Sequence, residues 1–362
     1  MKFITLTPEE FTKFANKSPY KSFMQTTEIA TLREQDGWTA YYLGVEDEGK
    51  TKAATMLVAK PTFLGKSMFI TPGGPLLDLT DTKLTNYFFR NLKKYIKNHN
   101  GYVLHIDPYF ELIERDREGE IKPGGFHHQK ALTNLKNLGF KTTTSTQPKY
   151  LFALDLKGQT PDQLLADFKR NTRNHVRKAE RQGVEVRELK REELGVFKQI
   201  TESTSKRRNF SDRTQNYYQQ MYDLFHEKDE VKFMLAEVTV EKKTIPLSAA
   251  MFMLYGDEVV YLFSGSDEKY MKEYNAQYLI QWRMIKYASE KGFKTYNFYG
   301  INGLPDRSNK DYGIFGFKKG FTSDKNGRVI ELIGSYELPI NASFYHLHEF
   351  LTKAKRKVKK PR

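Results

Sequence analysis

The chain contains no cysteine. Without thiols it forms no disulfide, holds no zinc through thiolates and has no cysteine nucleophile, a composition that fits a reducing compartment. No stretch approaches the roughly 20 apolar residues that a membrane-spanning helix needs, and residues 1–10 contain no apolar run of the kind that marks a signal peptide. We therefore expect a cytoplasmic protein.

Several catalytic signatures are missing as well. The sequence has no Gly-x-Ser-x-Gly, Walker A or dinucleotide fingerprint, which argues against the hydrolases, nucleotidases and dehydrogenases built on those motifs. The pairs His127-His128 and His346-x-His348 have no third ligand at a suitable spacing, so no metal site is predicted.

Length and charge indicate two domains and an acidic partner. A chain of 362 residues is long enough for two domains with full cores. The net charge is +15, and residues 353–362 hold seven Lys or Arg and no acid, so the rest of the chain carries +8. We expect this tail to be a disordered or fraying cationic end that contacts nucleic acid or an anionic membrane surface. Because 14% of the residues are aromatic, some rings are expected to line a ligand groove.

One basic helix is predicted over residues 161–182. Thr160 is a suitable N-cap, Pro161 takes the first helical position, Gln163 completes a capping box and Gly183 ends the helix. At about 100° per residue, two faces separate. The packing face holds Leu165, Phe168, Thr172, Val176 and Ala179, and the opposite face holds Arg170, Arg173, Arg177 and Arg181. Such a guanidinium ladder favours an anionic ligand over a plain solvated surface, which normally mixes both charge signs.

The two halves of the chain repeat one order of elements, which predicts an internal duplication. Each half contains a hairpin, a third strand, a glycine turn, a helix and a further strand. In the first half these are 41–45 with 53–59, 67–70, 71–75, 81–98 and 102–107, and in the second half 233–238 with 247–254, 259–263, 264–266, 275–291 and 295–299. This order is that of the acetyltransferase-like (GNAT-like) α/β fold. We therefore predict an α/β protein of two tandem domains, 1–148 plus 331–362 and 149–330.

Neither glycine turn provides the phosphate cradle that an acyl-CoA enzyme needs at a helix N-terminus. Asp78 follows the first turn, and Asp267 with Glu268 follows the second. Acids at these places point to an acyl donor other than CoA, and the cationic helix suits a donor carried on RNA.

Four segments together carry a family resemblance that covers nearly the whole chain. They are Arg173-Asn174-His175-Val176-Arg177-Lys178-Ala179, Tyr261-Leu262-Phe263-Ser264-Gly265-Ser266, Ile106-Asp107-Pro108 and Phe317-Lys318-Lys319-Gly320-Phe321. With them the chain resembles the Fem (FemXAB) aminoacyltransferases, which build peptidoglycan interpeptide bridges. The resemblance implies aminoacyl-tRNA as donor and a precursor, UDP-MurNAc-pentapeptide or its lipid-linked form, in a cleft of the first domain. The second domain then holds the tRNA side and the catalytic lysine, and neither metal nor cofactor is required.

The resemblance also implies roles for individual residues. Lys318 is expected to stabilise the carbonyl oxyanion, with Phe317 and Phe321 drying its surroundings; the alternative is a solvated loop cation. Arg213, Tyr217 and Tyr261 match positions that bind precursor phosphates and nearby groups, with Arg213 and Tyr217 expected on one helical face. Arg33 stands where the family often has a lysine. Apart from the resemblance, Asp107 precedes Pro108 at a strand end, where it is expected to orient or deprotonate the incoming amine, or else to cap a turn.

One departure is informative. Many family members insert a long coiled-coil arm in the second domain, whereas here only residues 226–230 precede the next strand. We predict a compact, monomeric transferase that moves Ala, Ser or Gly to the stem-peptide lysine and adds the first residue of the bridge. Two alternatives stay open: an inactive RNA-binding protein of the same fold, and an immunity or resistance factor that alters the cross-bridge.

Overall fold

The computed structural model describes residues 1–144, 147–306, 308 and 312–358, with side chains as far as Thr352. The side chains of the predicted basic tail, 353–362, therefore lie outside the described residues. The chain forms two compact units. The first unit contains Met1–Ile113, Phe126–Lys149 and the chain from Leu332 onward, and the second contains Glu114–Gly125 and Tyr150–Glu331.

The helices and strands alternate along both units. The strands are β1 (Lys2–Thr5), β2 (Thr39–Asp47), β3 (Lys50–Pro61), β4 (Ser67–Thr71), β5 (Gly101–Ile106), β6 (Glu111–Glu114), β7 (Lys141–Thr142), β8 (Tyr150–Asp155), β9 (Glu185–Glu188), β10 (Val231–Val240), β11 (Lys243–Tyr255), β12 (Glu258–Ser266), β13 (Thr295–Ile301), β14 (Gly327–Leu332) and β15 (Tyr336–Pro339). The helices are α1 (Pro8–Ala15), α2 (Thr27–Gln35), α3 (Thr82–Asn98), α4 (Gln129–Asn137), α5 (Pro161–Asp167), α6 (Arg170–Arg181), α7 (Leu194–Arg208), α8 (Gln215–Phe225), α9 (Glu268–Tyr274), α10 (Ala276–Glu290), α11 (Tyr312–Lys319) and α12 (Ala342–Val358).

The two sheets share one topology, which confirms the predicted duplication. The first sheet has the order β1-β2-β3-β4-β5-β15-β7, and the second contains β9-β10-β11-β12-β13-β8-β14. In the first, β4 and β5 run parallel, and in the second, β12 and β13 do so. The fourth and fifth strands are therefore joined by a crossover helix in both units, α3 in the first and α10 in the second.

The sixth strand of each sheet comes from a distant part of the chain. In the first sheet, β15 lies between β5 and β7, although it follows β14 of the second unit in sequence. In the second sheet, β8 takes the equivalent place between β13 and β14, although it follows β7 of the first unit. The sixth strand of each sheet thus directly follows, in sequence, a strand of the other sheet.

The hairpins and crossover helices of the structure agree with those predicted from the sequence. Both predicted hairpins form: Asp47 pairs with Lys50 at the first turn, and Val240 pairs with Lys243 at the second. The predicted crossover helices form within a residue of their expected starts, with Asp81 as the N-cap of α3. Each helix buries one face in its unit's core, for example Phe88 and Leu92 of α3 and Leu279 and Ile285 of α10.

The predicted helix over residues 161–182 is wrong in one respect, because it is two helices. The capping box of Thr160 and Gln163 forms, and Gly183 follows the helix end with φ +73°. Between α5 and α6, however, Phe168 adopts an extended backbone at φ −61° and ψ 148°. Its buried ring packs edge-on against Trp282 and Phe321. Tertiary packing of this ring therefore outweighs the helical periodicity.

Two further expectations need correction. Residues 264–266 form no turn but continue β12, because β11 pairs with them as far as Ser266. The segment Glu114–Gly125, predicted in the first domain, groups with the second unit. Two contacts fix it there: Arg115 Nε donates to the Glu331 carboxylate at 2.6 Å, and the Val329 amide donates to the Asp116 carbonyl at 3.1 Å.

Candidate active site

The parallel strands of the second unit separate part-way along their length. Pairing joins Glu258–Val260 of β12 to Thr295–Asn297 of β13. Beyond these residues each strand continues against its outer neighbour, β12 against β11 and β13 against β8. An opening therefore begins at Tyr261 on one side and Phe298 on the other. The first unit differs, because β4 pairs with β5 from Ser67 to Thr71.

Irregular backbone marks both edges of this opening. In β12 the register shifts between Phe252 and Met251, which leaves Leu262 as an extra residue. In β13 it shifts between Asn297 and Gly300, and there Tyr299 has φ +62°. The buried Asn297 side chain accepts the Tyr299 amide at 2.7 Å and so stabilises this conformation. Bulges and left-handed non-glycine residues of this kind cluster next to functional sites.

Lys318 reaches the β13 edge of the opening. It lies near the end of α11, its residue surface is only 6% exposed, and its Nζ donates to the Gly300 carbonyl at 2.5 Å. Burial lowers the pKa of the Lys318 ammonium from 10.5 to about 7, because a dry environment disfavours the charged form. The side chain can therefore change its protonation state near neutral pH.

Lys318 is not a solvated loop cation, because it lies in a helix and its surroundings are buried. Phe317 packs edge-on against Tyr278 at 5.0 Å between ring centroids, and Phe321 is fully buried. The neighbouring Lys319 is also buried but pairs with the Glu118 carboxylate. Of the two lysines, Lys318 is thus the one whose ammonium meets the opening between the strands.

A buried arginine holds the end of α11. Arg117 donates through Nη2 to the Lys319 carbonyl at 3.1 Å and through Nε to the Thr322 hydroxyl at 3.0 Å. It also forms an ion pair with Asp324. Together with the Glu118–Lys319 pair, these contacts fix the helix turn that carries Lys318.

Tyr261 lies where β12 leaves β13. Its hydroxyl donates to Ser264 Oγ at 2.5 Å, and its ring stacks on Phe252 at 5.5 Å. Burial raises the pKa of Tyr261 to about 12. The phenol therefore stays neutral at physiological pH and acts as a hydrogen-bond donor or acceptor at the edge of the opening.

Arg213 and Tyr217 do meet, but not on one helical face. Helix α8 begins after its N-cap Thr214, so Arg213 precedes the helix. Its guanidinium lies over the Tyr217 ring at 5.1 Å from the centroid. The half-buried Tyr217 ring in turn contacts Phe263 of β12 edge-on, which connects this cation–π pair to the residues of the opening.

The arginine ladder of α6 divides into two kinds of residue. Arg170, Arg177 and Arg181 are exposed. Arg173 instead turns back and donates to the Ala166 carbonyl at 2.5 Å and to the Phe168 carbonyl. It therefore caps the end of α5 at the helix break, while the other three guanidinium groups face solvent.

Two predicted site residues belong to the first unit. The Arg33 guanidinium lies 5.6 Å from the ring centre of Trp38, and Lys60 Nζ lies 5.2 Å from the same ring. Asp107 follows β5, and its Oδ1 accepts the Gly73 amide at 2.9 Å. This contact is the turn-capping arrangement that the sequence left open as an alternative.

The sequence did not identify the bulge of Phe298 and Tyr299, the Gly300 acceptor or the Arg117 clamp. One signal was available, since Asn297 is a polar residue inside an otherwise apolar strand, and here it is completely buried. Within the described part of the chain, no group of three or more His, Asp or Glu side chains is arranged to hold a metal ion. None of the helices described is both long and apolar enough to cross a membrane.

Comparison with solved structures defines the class of fold. A tandem GNAT protein from the clavulanic acid biosynthesis pathway aligns with 94% of this chain and 98% of its own at a TM-score of 0.54 and 11% identity. The crystal structure of FemX aligns with 96% of this chain and 99% of its own at a TM-score of 0.81 and 23% identity. The fold is therefore that of two GNAT-like domains in tandem.

The chain belongs to the FemAB family, whose model matches residues 6–244 and 239–353. It is 28% identical to aminoacyltransferase FemA of Staphylococcus epidermidis over 426 residues, covering 98% of this chain and all of that protein. It is likewise 28% identical to FemA of Staphylococcus aureus over 427 residues. These alignments are longer than the chain itself, so the relatives carry segments that it lacks. Between α8 and β10 this chain has only the short turn His226–Lys228 and two further residues.

Proposed function

We propose that the protein is an aminoacyltransferase that moves an amino acid from aminoacyl-tRNA to the stem-peptide lysine of a peptidoglycan precursor. The family membership and the similarity to the aminoacyltransferase FemA support the reaction class. The observation that carries the proposal is Lys318, buried at the opening between β12 and β13 with a pKa of about 7.

The reaction requires little from the protein, because an aminoacyl ester is already activated. The side-chain amine of the stem-peptide lysine attacks the ester carbonyl of the aminoacyl-tRNA. The new C–N bond forms, the C–O bond to the ribose breaks, and the proton lost by the amine is taken up by the ribose oxygen. Alignment of the two substrates and stabilisation of the oxyanion supply most of the rate enhancement. We assign oxyanion stabilisation to Lys318 in its ammonium form, which exchanges the Gly300 carbonyl for the developing oxyanion.

We assign roles to the other predicted residues from their position and exposure in the structure. The exposed guanidinium groups of Arg170, Arg177 and Arg181 suit tRNA phosphates. The Arg213–Tyr217 pair and Tyr261, all next to the opening, suit groups of the precursor. Within the first unit, we propose Arg33 as a residue that binds the precursor, and we assign Asp107 to the turn at Gly73 rather than to catalysis.

Aminoacyl-tRNA is a cytoplasmic substrate, so the proposed reaction takes place there, with a monomer as the working unit. We propose Ala, Ser or Gly as the transferred residue, and the test compares tRNA charged with each of the three.

The test combines purified protein, a lysine-containing muramyl pentapeptide and tRNA charged with glycine, alanine or serine. The expected product is one residue heavier by mass spectrometry. Lys318→Met is expected to lower kcat by about 10²–10³-fold with unchanged tRNA affinity, whereas Lys325→Met, on an exposed neighbouring lysine, leaves kcat unchanged. Absence of product with all three donors, in the presence of tRNA binding, would instead support an inactive RNA-binding protein.

A further inference from the structure

A short loop of the second unit carries Arg213. Helix α7 ends at Arg208 and α8 begins at Gln215, so the loop comprises residues 209–214. Every residue of this loop is exposed except Asp212. The Asp212 carboxylate points inward, and its side chain is only 7% exposed. The loop therefore has a single buried anchor, and this anchor directly precedes Arg213.

Four donors converge on the Asp212 carboxylate. Its Oδ2 accepts the Lys198 ammonium and the Thr201 hydroxyl, each at 2.8 Å. Its Oδ1 accepts the Tyr218 hydroxyl at 2.6 Å and the Arg213 amide at 2.8 Å. A carboxylate accepts hydrogen bonds at both oxygens, whereas the side-chain amide of an asparagine would turn two protons towards these donors. The surroundings therefore suit an ionised aspartate and not its amide.

The charge of Asp212 is constant at neutral pH. Burial raises the pKa of the Asp212 carboxyl, but the hydrogen bonds that it accepts from the ammonium and the two hydroxyls lower it more, so the pKa lies below its ordinary value of 3.8. Burial and the nearby carboxylate raise the pKa of the Tyr218 phenol well above its usual value. Asp212 is therefore an anion and Tyr218 a neutral donor at physiological pH.

The same carboxylate also fixes the aromatic residue next to the Arg213–Tyr217 pair. Tyr218 is completely buried, and its ring contacts Phe263 of β12 at 5.7 Å and Tyr217 at 5.8 Å between centroids. Asp212 thus holds both members of the cation–π pair. It holds Arg213 through the backbone amide, and it holds Tyr217 through the neighbouring Tyr218.

Helix α7, which supplies two of the four donors, is itself fixed to the β12 edge of the opening. A Cβ at Gly265 of β12 would lie 2.5 Å from the Ile200 carbonyl oxygen, so the helix backbone lies directly on the strand. The Ser266 amide also donates to Thr204 Oγ1 at 3.0 Å. A continuous set of contacts therefore joins the edge of the opening, through α7, to Asp212.

We propose that Asp212 is a positioning residue of the transferase, which holds the Arg213 guanidinium beside the opening, where it meets the phosphates of the precursor. This rests on the proposed function, in which Arg213 binds the precursor. Asp212 itself is assigned no contact with substrate, because its oxygens face donors of the protein. An anchored loop reduces the ordering that an exposed arginine would otherwise undergo when it binds. The effect of Asp212 is therefore expected on precursor binding, and not on tRNA binding or on the chemical step.

The test measures the KM for UDP-MurNAc-pentapeptide, the KM for aminoacyl-tRNA and kcat, with urea denaturation of each variant. Asp212→Asn is expected to raise the KM for the precursor about tenfold, with the KM for tRNA and kcat unchanged, which is the pattern of a lost binding contribution. Asp223→Asn is the matched control, because it removes an exposed carboxylate of α8 that pairs with Arg191. It should leave all three constants unchanged.

A second variant tests the same role without leaving a buried charge unpaired. Asp212→Ala with Lys198→Met removes the carboxylate together with its cation, an exchange that a fold tolerates better than the loss of one partner. The Arg213 amide still loses its acceptor. The double variant is therefore expected to raise the KM for the precursor about tenfold as well, even if Asp212→Asn does not fold.

Arg213→Gln shows whether Asp212 acts through the arginine. If Asp212 acts by placing this guanidinium, Asp212→Asn has no further effect on the KM for the precursor in the Arg213→Gln background, so the two changes are not additive. Additive rises in KM, or variants of Asp212 with lower stability and an unchanged KM, overturn the positioning role while transfer by the wild-type protein stands. Absence of transfer by the wild-type protein with all three charged tRNAs overturns the proposed function itself, so the two failures are distinguishable.

Discussion

The Lys169 amide donates to the Gly320 carbonyl at 2.9 Å. This bond joins the break between α5 and α6 to the turn that directly follows α11. The helix with the exposed arginines and the helix with Lys318 are therefore coupled inside one unit. Lys318 is two residues from Gly320, so a shift of the arginine helix reaches the lysine through a single turn.

Gly320→Ala tests this coupling. A Cβ at Gly320 would lie 2.3 Å from Thr172 Oγ1, and since both residues are buried, α6 or the turn after α11 must move. We expect a loss of about 1–3 kcal/mol in the free energy of unfolding together with a lower kcat. Urea denaturation and the transfer assay measure the two effects.

The matched control is the double variant Gly320→Ala with Thr172→Ala, which removes the clashing oxygen. It is expected to recover most of the stability and of kcat, with a coupling energy above about 0.5 kcal/mol. Wild-type stability and kcat in the single variant would show that the close approach of Gly320 and Thr172 has no role.

Among the arginines of α6, we expect the exposed ones to bind tRNA and Arg173 to stabilise the helix break. Arg177→Glu with Arg181→Glu should raise the KM for aminoacyl-tRNA several-fold and reduce its salt dependence, because phosphate contacts release counterions. The KM for the precursor and the melting temperature should stay unchanged, because both side chains are exposed. Lys157→Glu with Lys325→Glu, two charge reversals at other exposed positions, controls for net charge. An equal effect of that variant argues against a specific tRNA surface.

Arg173→Gln should behave differently. This guanidinium binds the Ala166 and Phe168 carbonyls at the helix break, so its loss is expected to cost about 1–3 kcal/mol of stability. The KM for tRNA should rise less than in the Arg177 and Arg181 variant, because Arg173 affects tRNA binding only through the position of α6. A purely electrostatic effect on tRNA binding, without a fall in stability, would contradict this role.

Local chemistry explains what the sequence predicted well. The capping residues Thr160 and Asp81 and the two hairpin turns act within a few residues, so the sequence contains their full cause. The break at Phe168 depends instead on Trp282 and Phe321, which lie far away in sequence. The same holds for β8 and β15, whose places in the sheets follow from long-range pairing.

In the candidate site, too, the features that depend on neighbouring residues were predictable from the sequence, and those that depend on long-range contacts were not. Phe317 and Phe321 already predicted a dry environment for Lys318 because aromatic neighbours are visible in the sequence. Its acceptor at Gly300 and the Arg117 clamp were not predictable, because they depend on the separation of β12 from β13 and on the placement of residues 114–125. Arg213 and Tyr217 show an intermediate case. The sequence predicted that they lie on one helical face, whereas α8 begins only at Gln215, so Arg213 precedes the helix and meets the Tyr217 ring from outside it.

Arg117→Gln tests the clamp on α11. The change removes the ion pair with Asp324 and weakens the bonds to Thr322 and the Lys319 carbonyl. We expect about 2–4 kcal/mol lower stability and a lower kcat with little change in either KM, because Lys318 loses its position rather than a substrate contact. Asp324→Asn is the control, since that carboxylate is 86% exposed and its loss should cost less than about 1 kcal/mol. Equal effects of the two variants would assign the role to the ion pair alone.

Lys318 should also make stability depend on pH in a defined direction. Its pKa is about 7 in the folded protein and 10.5 as the ordinary value. Below pH 7 both states are protonated, so the folded state carries the full cost of the buried charge, about 5 kcal/mol. Between pH 7 and 10.5 unfolding takes up a proton, so stability rises by about 1.4 kcal/mol per pH unit relative to a protein without this group.

Lys318→Met lacks the titrating group and isolates its contribution. The variant is expected to be several kcal/mol more stable than wild type at pH 6, and the difference should shrink as the pH rises from 7 towards 10. Urea denaturation of both proteins over this range measures the difference, in which the other titrating groups cancel. Parallel pH profiles would mean that Lys318 keeps an ordinary pKa, and oxyanion stabilisation would then involve a permanently charged lysine. If Lys318 is retained for catalysis at the expense of stability, Lys318→Met should be both more stable than wild type and inactive at neutral pH.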